Sequence, residues 1–94
     1  MTDKHADEQH NALMDYPCDF TIKTMGLANT GFDLIVVEIV RRHAPDLSES
    51  AVQSKFSKSK KYVSISITIT AQSKQQMDAI YQDLTDCEQV LMSL

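Results

Sequence analysis

Residues 62–71, Tyr-Val-Ser-Ile-Ser-Ile-Thr-Ile-Thr-Ala, set Val63, Ile65, Ile67 and Ile69 in unbroken alternation with Ser64, Ser66, Thr68 and Thr70. Successive side chains on a strand point to opposite faces, so this segment predicts a strand with one apolar face and one face of hydroxyls. Its β-branched content suits a pleated, half-buried surface. Such a strand needs partners on both edges and a layer over its apolar face. A shorter alternation over Phe20–Met25 predicts a second strand. Val52 and Phe56, with Ser54 on the same face, bracket a third and weaker one. Val90, Leu91, Met92 and Leu94 predict a short fourth.

Between these strands the period changes. Phe32, Ile35, Val36, Ile39, Val40 and His43 fall on one stripe of a helix. Asn29 or Thr30 is placed to cap it and Asp33 to favour its first turn, while Arg41, Arg42 and His43 suit its C-terminal end. Pro45 stops it. Ser73-Lys-Gln-Gln76 reads as an S-x-x-Q capping box. It opens a second helix with the stripe Met77, Ile80, Tyr81, Leu84, continued by Cys87. Residues 26–31 have the composition of a loop, and Ser57-Lys58-Ser59-Lys60 that of a hairpin turn.

The predicted order is strand, helix, strand, strand, helix, strand. Two crossovers joined by a hairpin give an α+β, ferredoxin-like βαββαβ sandwich. Right-handed crossovers place both helices on one face of a four-stranded antiparallel sheet with spatial order 4-1-3-2. The domain is expected to span residues 16–94, preceded by a mobile acidic tail over residues 1–15.

Charge narrows the function classes. The chain of 94 residues carries a formal charge of -4. Residues 1–19 hold five acidic residues against Lys4 alone, whereas residues 20–94 hold eight acidic and eight basic ones. A neutral body argues against general nucleic-acid binding, whose footprint is a clustered positive excess. No apolar run approaches the roughly 20 residues that cross a bilayer, and the N-terminus lacks a basic-then-apolar leader pattern. A soluble, cytoplasmic protein without membrane contact is expected. Cys18 and Cys87 are too few for a disulfide framework and lack metal-ligand spacing.

Candidate sites are sparse. Gly26, Asn29, Thr30 and Gly31 form a candidate ligand-binding loop, because backbone donors before a helix can hold an anion or carboxylate. Its glycine spacing is that of a phosphate-binding loop, but Phe32-Asp33 stands where Lys and Ser or Thr are required, so a nucleotide is not expected. Lys55, Lys58, Lys60 and Lys61 make a candidate partner-binding basic hairpin, although lysines there also protect a sheet edge from aggregation. His43 is the sole histidine outside the tail, and spacing alone gives it no partner. No paired-carboxylate, Ser-His-Asp or zinc pattern stands out, so no enzyme, no cofactor and no metal are expected. The reading is a non-catalytic regulatory or interaction module. It would bind a partner protein, a second copy or a small ligand through a sheet edge or the open hydroxyl face. The alternative is a nucleic-acid-binding module using the lysine-rich hairpin.

Five blocks carry a family likeness: Tyr16–Gly26, Val40–Asp46, Lys58–Ile67, Ile80–Leu84 and Val90–Met92. In order and spacing they resemble the YbeD-like family of small bacterial proteins, sometimes labelled lipoate regulatory proteins. The resemblance covers residues 14–94. It implies a ferredoxin-like fold akin to ACT regulatory domains, a loose link to lipoate metabolism, and no set of catalytic residues. The ACT analogy implies a ligand near residues 26–31, close to a subunit interface, though an Asp-x-Pro-Gly-like loop is missing here. Lys60 stands where the family often has Gly, which implies a hairpin turn built differently.

Overall fold

The computed structural model describes residues 15–94; apart from Asp15, the acidic tail read from the sequence lies outside the described residues. The elements are β1 (Cys18–Leu27), α1 (Phe32–His43), a 3-10 turn (Glu49–Ala51), β2 (Val52–Phe56), β3 (Tyr62–Ala71), α2 (Lys74–Asp86) and β4 (Met92–Ser93). All strand pairs are antiparallel and the sheet order is β2-β3-β1-β4, in agreement with the order read from the sequence.

The central pair sets the rest. β1 and β3 run in register from Cys18 opposite Ala71 to Leu27 opposite Tyr62. This register aligns Phe20, Ile22 and Thr24 with Ile69, Ile67 and Ile65 on one face. The helices close over that face, and Ile22, Ile65, Ile67, Val36, Val40, Ile80 and Leu84 lose all contact with solvent. Each such side chain contributes roughly 1.5–3 kcal/mol of burial before chain entropy is counted. Thr24 is the buried polar side chain of this core, and its hydroxyl donates to the Ile65 carbonyl at 3.1 Å. β1 exceeds the predicted Phe20–Met25 at both ends, because β3 offers a partner along its whole length.

Four local readings differ from the structure. Gly26 belongs to β1 rather than to a loop, and a Cβ there would lie 2.5 Å from the ring of the buried Phe32. The glycine admits the ring that seals this end of the core. Neither Asn29 nor Thr30 caps α1: the N-cap is Gly31 at φ 71, without a side-chain cap, and Asn29 is itself left-handed at φ 64. The Thr30 hydroxyl instead donates to the Leu27 carbonyl at 2.8 Å. At α2 the Ser73 hydroxyl accepts from the Gln76 N–H as the capping motif requires. The Gln76 side chain, however, passes over Ser73. It accepts from the Gln72 N–H at 2.6 Å and donates to the His43 carbonyl at 2.8 Å, tying the start of α2 to the end of α1. β4 is two residues long, and Val90 falls in the turn after α2, where its N–H donates to Cys87. Backbone bonds from Leu91 to Met25 and between Leu94 and Lys23 extend its attachment on either side.

The C-terminal segment is held from the helix layer as well. Tyr81 meets Phe20 edge to face, with ring centroids 6.5 Å apart, and its hydroxyl donates to the Leu94 carbonyl at 2.8 Å. Burial raises the Tyr81 pKa above its ordinary value of 10.0. Between β2 and β3, Lys60 adopts φ 60, the left-handed region glycine favours.

Three outcomes follow for urea or thermal unfolding. Gly26→Ala should destabilise the fold by about 1–3 kcal/mol, because the added Cβ would lie 2.5 Å from the buried Phe32 ring and force it to shift. Lys60→Gly should stabilise it by about 0.5–1 kcal/mol, whereas Lys60→Val should destabilise it. Tyr81→Phe should lose about 1 kcal/mol at neutral pH. The folded chain holds the Tyr81 proton more tightly than the unfolded one, so this contribution is complete below the unfolded pKa and lost as pH rises through the folded one. Wild-type stability should therefore fall as pH climbs past 10.0, with Tyr81→Phe lacking that part of the decline.

Candidate functional site

The two sites picked from sequence meet at one end of the sheet. Leu27 pairs with Tyr62, and the Ala28 N–H donates to the Lys61 carbonyl at 2.9 Å, so the turn before α1 sits beside the lysine hairpin. Asn29, Thr30 and Gly31 lie exposed in that turn, while Gly26 is committed to the core beneath Phe32. Asp33 stands exposed in the first turn of α1. Lys55, Lys58, Lys60 and Lys61 are all exposed. Among the described residues none of the four makes a salt bridge, and the Lys61 ammonium lies 5.5 Å from the centre of the Tyr62 ring. The end is thus basic, but its turn is closed by its own backbone bonds.

At the opposite end, α1, the loop after it and the start of α2 surround a cavity of about 510 Å³. His43, Asp46, Ser48, Thr68, Thr70 and Gln76 contribute to its wall. Sequence spacing left His43 without a partner; the fold supplies Asp83 of α2, whose Oδ2 lies 2.7 Å from His43 Nε2. Arg42 reaches the same oxygen at 4.0 Å and Glu38 at 3.2 Å. Asp83 borders the apolar stripe one turn after Ile80, the available signal that it would face the other helix. The pair joins the two helices beside Gln76, and no nucleophile completes it among the contacts of either side chain. Among the described residues no group of three His, Cys, Asp or Glu side chains is placed to hold a metal ion, and Cys18 and Cys87 are free.

The third place is the face of the sheet that no described helix covers. Register puts Asp19, Thr21, Lys23 and Met25 of β1 beside Thr70, Thr68, Ser66 and Ser64 of β3. The hydroxyls partly satisfy one another: Thr21 and Thr68 are 2.9 Å apart, and Thr70 donates to Asp19 at 3.3 Å. One corner differs. Met25 pairs with Met92, and with Lys23, Ser64, Ser66 and Leu94 they line a shallow, largely apolar recess of about 130 Å³. Met92 is 53 % exposed and Leu94 71 %. Sequence reading described this face by β3 alone and missed the corner, because its side chains come from three strands and converge only through the register. Alternation in β1 places Met25 on the hydroxyl side, which was the legible part of the signal. No described helix is long and apolar enough to cross a membrane.

Comparison with known proteins agrees with this architecture. The family described as "Protein of unknown function (DUF493)" matches residues 11–94. The UPF0250 protein NE1487 of Nitrosomonas europaea is 41% identical over 83 residues, which cover 88% of this chain and 95% of that protein. A UPF0250 protein of Yersinia pestis is 44% identical over 84 residues, covering 89% and 94% of the two chains. Protein HP0495 of H. pylori, solved in solution, superposes with a TM-score of 0.65 over 86% of this chain and 85% of its own at 14% identity, a likeness of fold. With the profile match spanning nearly the whole domain and relatives near two-fifths identity, the chain belongs to the DUF493 family, the YbeD-like proteins.

Proposed function

We propose that this protein is a non-catalytic interaction module whose recognition surface is the uncovered face of its sheet, and that a partner protein is the occupant. The observation that carries this reading is the corner formed by Met25, Met92 and Leu94 beside the hydroxyl rows of β1 and β3. Exposed methionine is adaptable and polarisable, which suits a surface that meets another protein. The neighbouring hydroxyls donate and accept, so they can orient a partner without burying a charge. The distribution of reactive groups supports the same reading. His43 and Asp83 are engaged in joining the helices, and the thiol of Cys87, which lines the groove beside Asp83, donates to Gln89. A regulatory role would follow if binding at this face altered the partner's activity.

The four lysines at the hairpin, exposed and without carboxylate partners among the described residues, favour a second reading in which the basic end contacts nucleic acid. The neutral balance of residues 20–94 weighs against it.

Affinity capture from a native cell extract separates the two. The wild type and a Lys58→Ala/Lys60→Ala/Lys61→Ala variant should retain the same protein, and Met92→Asp combined with Leu94→Asp should lose it. Capture unaffected by the corner substitutions would contradict the proposal. Capture that is abolished by nuclease and by the lysine substitutions would establish the second reading instead.

A further inference from the structure

β2 begins at Val52, opposite Ile67, so residues 68–71 of β3 run on past its end. The Ser57 N–H donates to the Tyr62 carbonyl, and every second residue of β3 from Tyr62 onward turns its backbone groups to that same side. Thr70 therefore directs its N–H and C=O into the gap that β2 leaves. The Gln72 side-chain amide reaches that carbonyl only at 3.5 Å. The loop after α1 and the 3-10 turn border the gap, and the start of α2 ends it. The space so enclosed is the cavity of about 510 Å³.

The charge around this cavity has one sign. Asp46 is the carboxylate of its wall, and neither lysine nor arginine lines it. Among the described residues Asp46 makes no salt bridge. The nearby cations are committed elsewhere. Arg41 donates to the Leu47 carbonyl at 2.9 Å and Arg42 to Glu38 at 3.2 Å, while Lys74 is held by Asp78 at 2.8 Å. His43 keeps its Nε2 on Asp83. The carbonyl end of α1, where the helix dipole is negative, adds to the same sign. Donors that could receive an anion are also spent. The Gln72 N–H goes to Gln76 Oε1, the Gln76 N–H to the Ser73 hydroxyl, and the Gln76 side-chain amide to the His43 carbonyl. A carboxylate or phosphate would thus enter beside Asp46 with no cation to meet it. Ala44, Pro45, Leu47, Ala51 and Ile69 make the remainder of the wall largely aliphatic.

We propose that this cavity binds a small aliphatic primary amine in its ammonium form. An ammonium group carries three protons and accepts none, which matches a wall whose unspent groups are acceptors: the Asp46 carboxylate and the Thr70 carbonyl. The alkyl body of the amine lies against the aliphatic part of the wall. The volume is that of a site for a whole small molecule, far larger than an inorganic cation needs, so the carbon chain belongs to the fit. An amino acid would bring a second carboxylate to the same acceptor-lined wall, which makes the simple amine the better match. This cavity is separate from the apolar corner of the sheet proposed to meet a protein partner, and neither reading needs the other.

Backbone amide shifts of the full chain, followed while n-butylammonium is added at constant ionic strength, test this. Saturable shifts should be confined to the cavity, at Asp46, Ser48, Ala51 and Thr70, with a dissociation constant on the order of millimolar for so small a probe. n-Butyrate and n-butanol share its carbon chain without the cation and should bind at least about tenfold more weakly. Asp46→Asn should weaken the amine about fivefold. Ser48→Leu, at an exposed position on the cavity wall, should abolish its binding by filling the space. Asp33→Asn removes an exposed carboxylate at the other end of the sheet and should change nothing. Asp46→Asn alters an exposed, unbridged side chain, so that arm decides the matter even if Ser48→Leu fails to fold. Four results would overturn the proposal: no saturable shift, shifts shared equally with Asp33 and Asp86, butyrate binding as tightly as the amine, or an affinity indifferent to Asp46→Asn.

Discussion

The ladder between β1 and β3 is the constraint on which the remaining structure depends. Both strands are central, both are ten residues long, and their register alone decides which side chains become core. A shift of one residue would turn the isoleucine row of β3 to solvent and its hydroxyls toward the helices. The helices are shaped to prevent that shift, since Val36, Val40, Ile80 and Leu84 are buried only against the apolar face. Gly26 and Phe32 lock the same register from one end, and Thr24, bonded to Ile65, does so from the middle.

Elements whose signal is periodic were legible in the sequence. The alternation from Val63 to Ile69 and the stripes Phe32–His43 and Met77–Leu84 gave the sheet order and the helix layer. Features that depend on one contact across the fold were not. Gly26 looked like a loop residue because nothing in its neighbourhood shows that the Phe32 ring returns over it. Gln76 follows the capping motif on its backbone side, but its side chain answers to Gln72 and to His43, 33 residues away. The partner of His43 stood in the sequence as Asp83, beside the α2 stripe, yet pairing it required knowing how the two helices lie. Lys60 was marked as a departure from the resembled family's glycine, and its left-handed backbone supplies the physical meaning of that departure.

The sites show the same division. The glycine-ended turn and the lysine hairpin were picked separately by composition, and the fold sets them side by side. The corner of Met25, Met92 and Leu94 was not picked, because it combines an interior strand with the chain's last few residues. Most polar groups near the helices bond to the protein's own framework. What remains open to other molecules among the described residues is surface: a hydroxyl-rich sheet face with one apolar corner, a basic end, and the cavity beside Asp46. Surfaces of this kind suit recognition. Membership of DUF493 and likeness to HP0495 fix the fold in which these surfaces stand, while the contacts each can make are read from the residues themselves.

Residue-resolved native-state hydrogen exchange tests the central claim most directly. If the β1–β3 ladder underlies the fold, the amides of Ile22, Ile65 and Ile67 should exchange only by global unfolding, and those of the β4 segment should exchange through smaller, local openings. Amides of the central pair exchanging as readily as those of β4 would contradict the account.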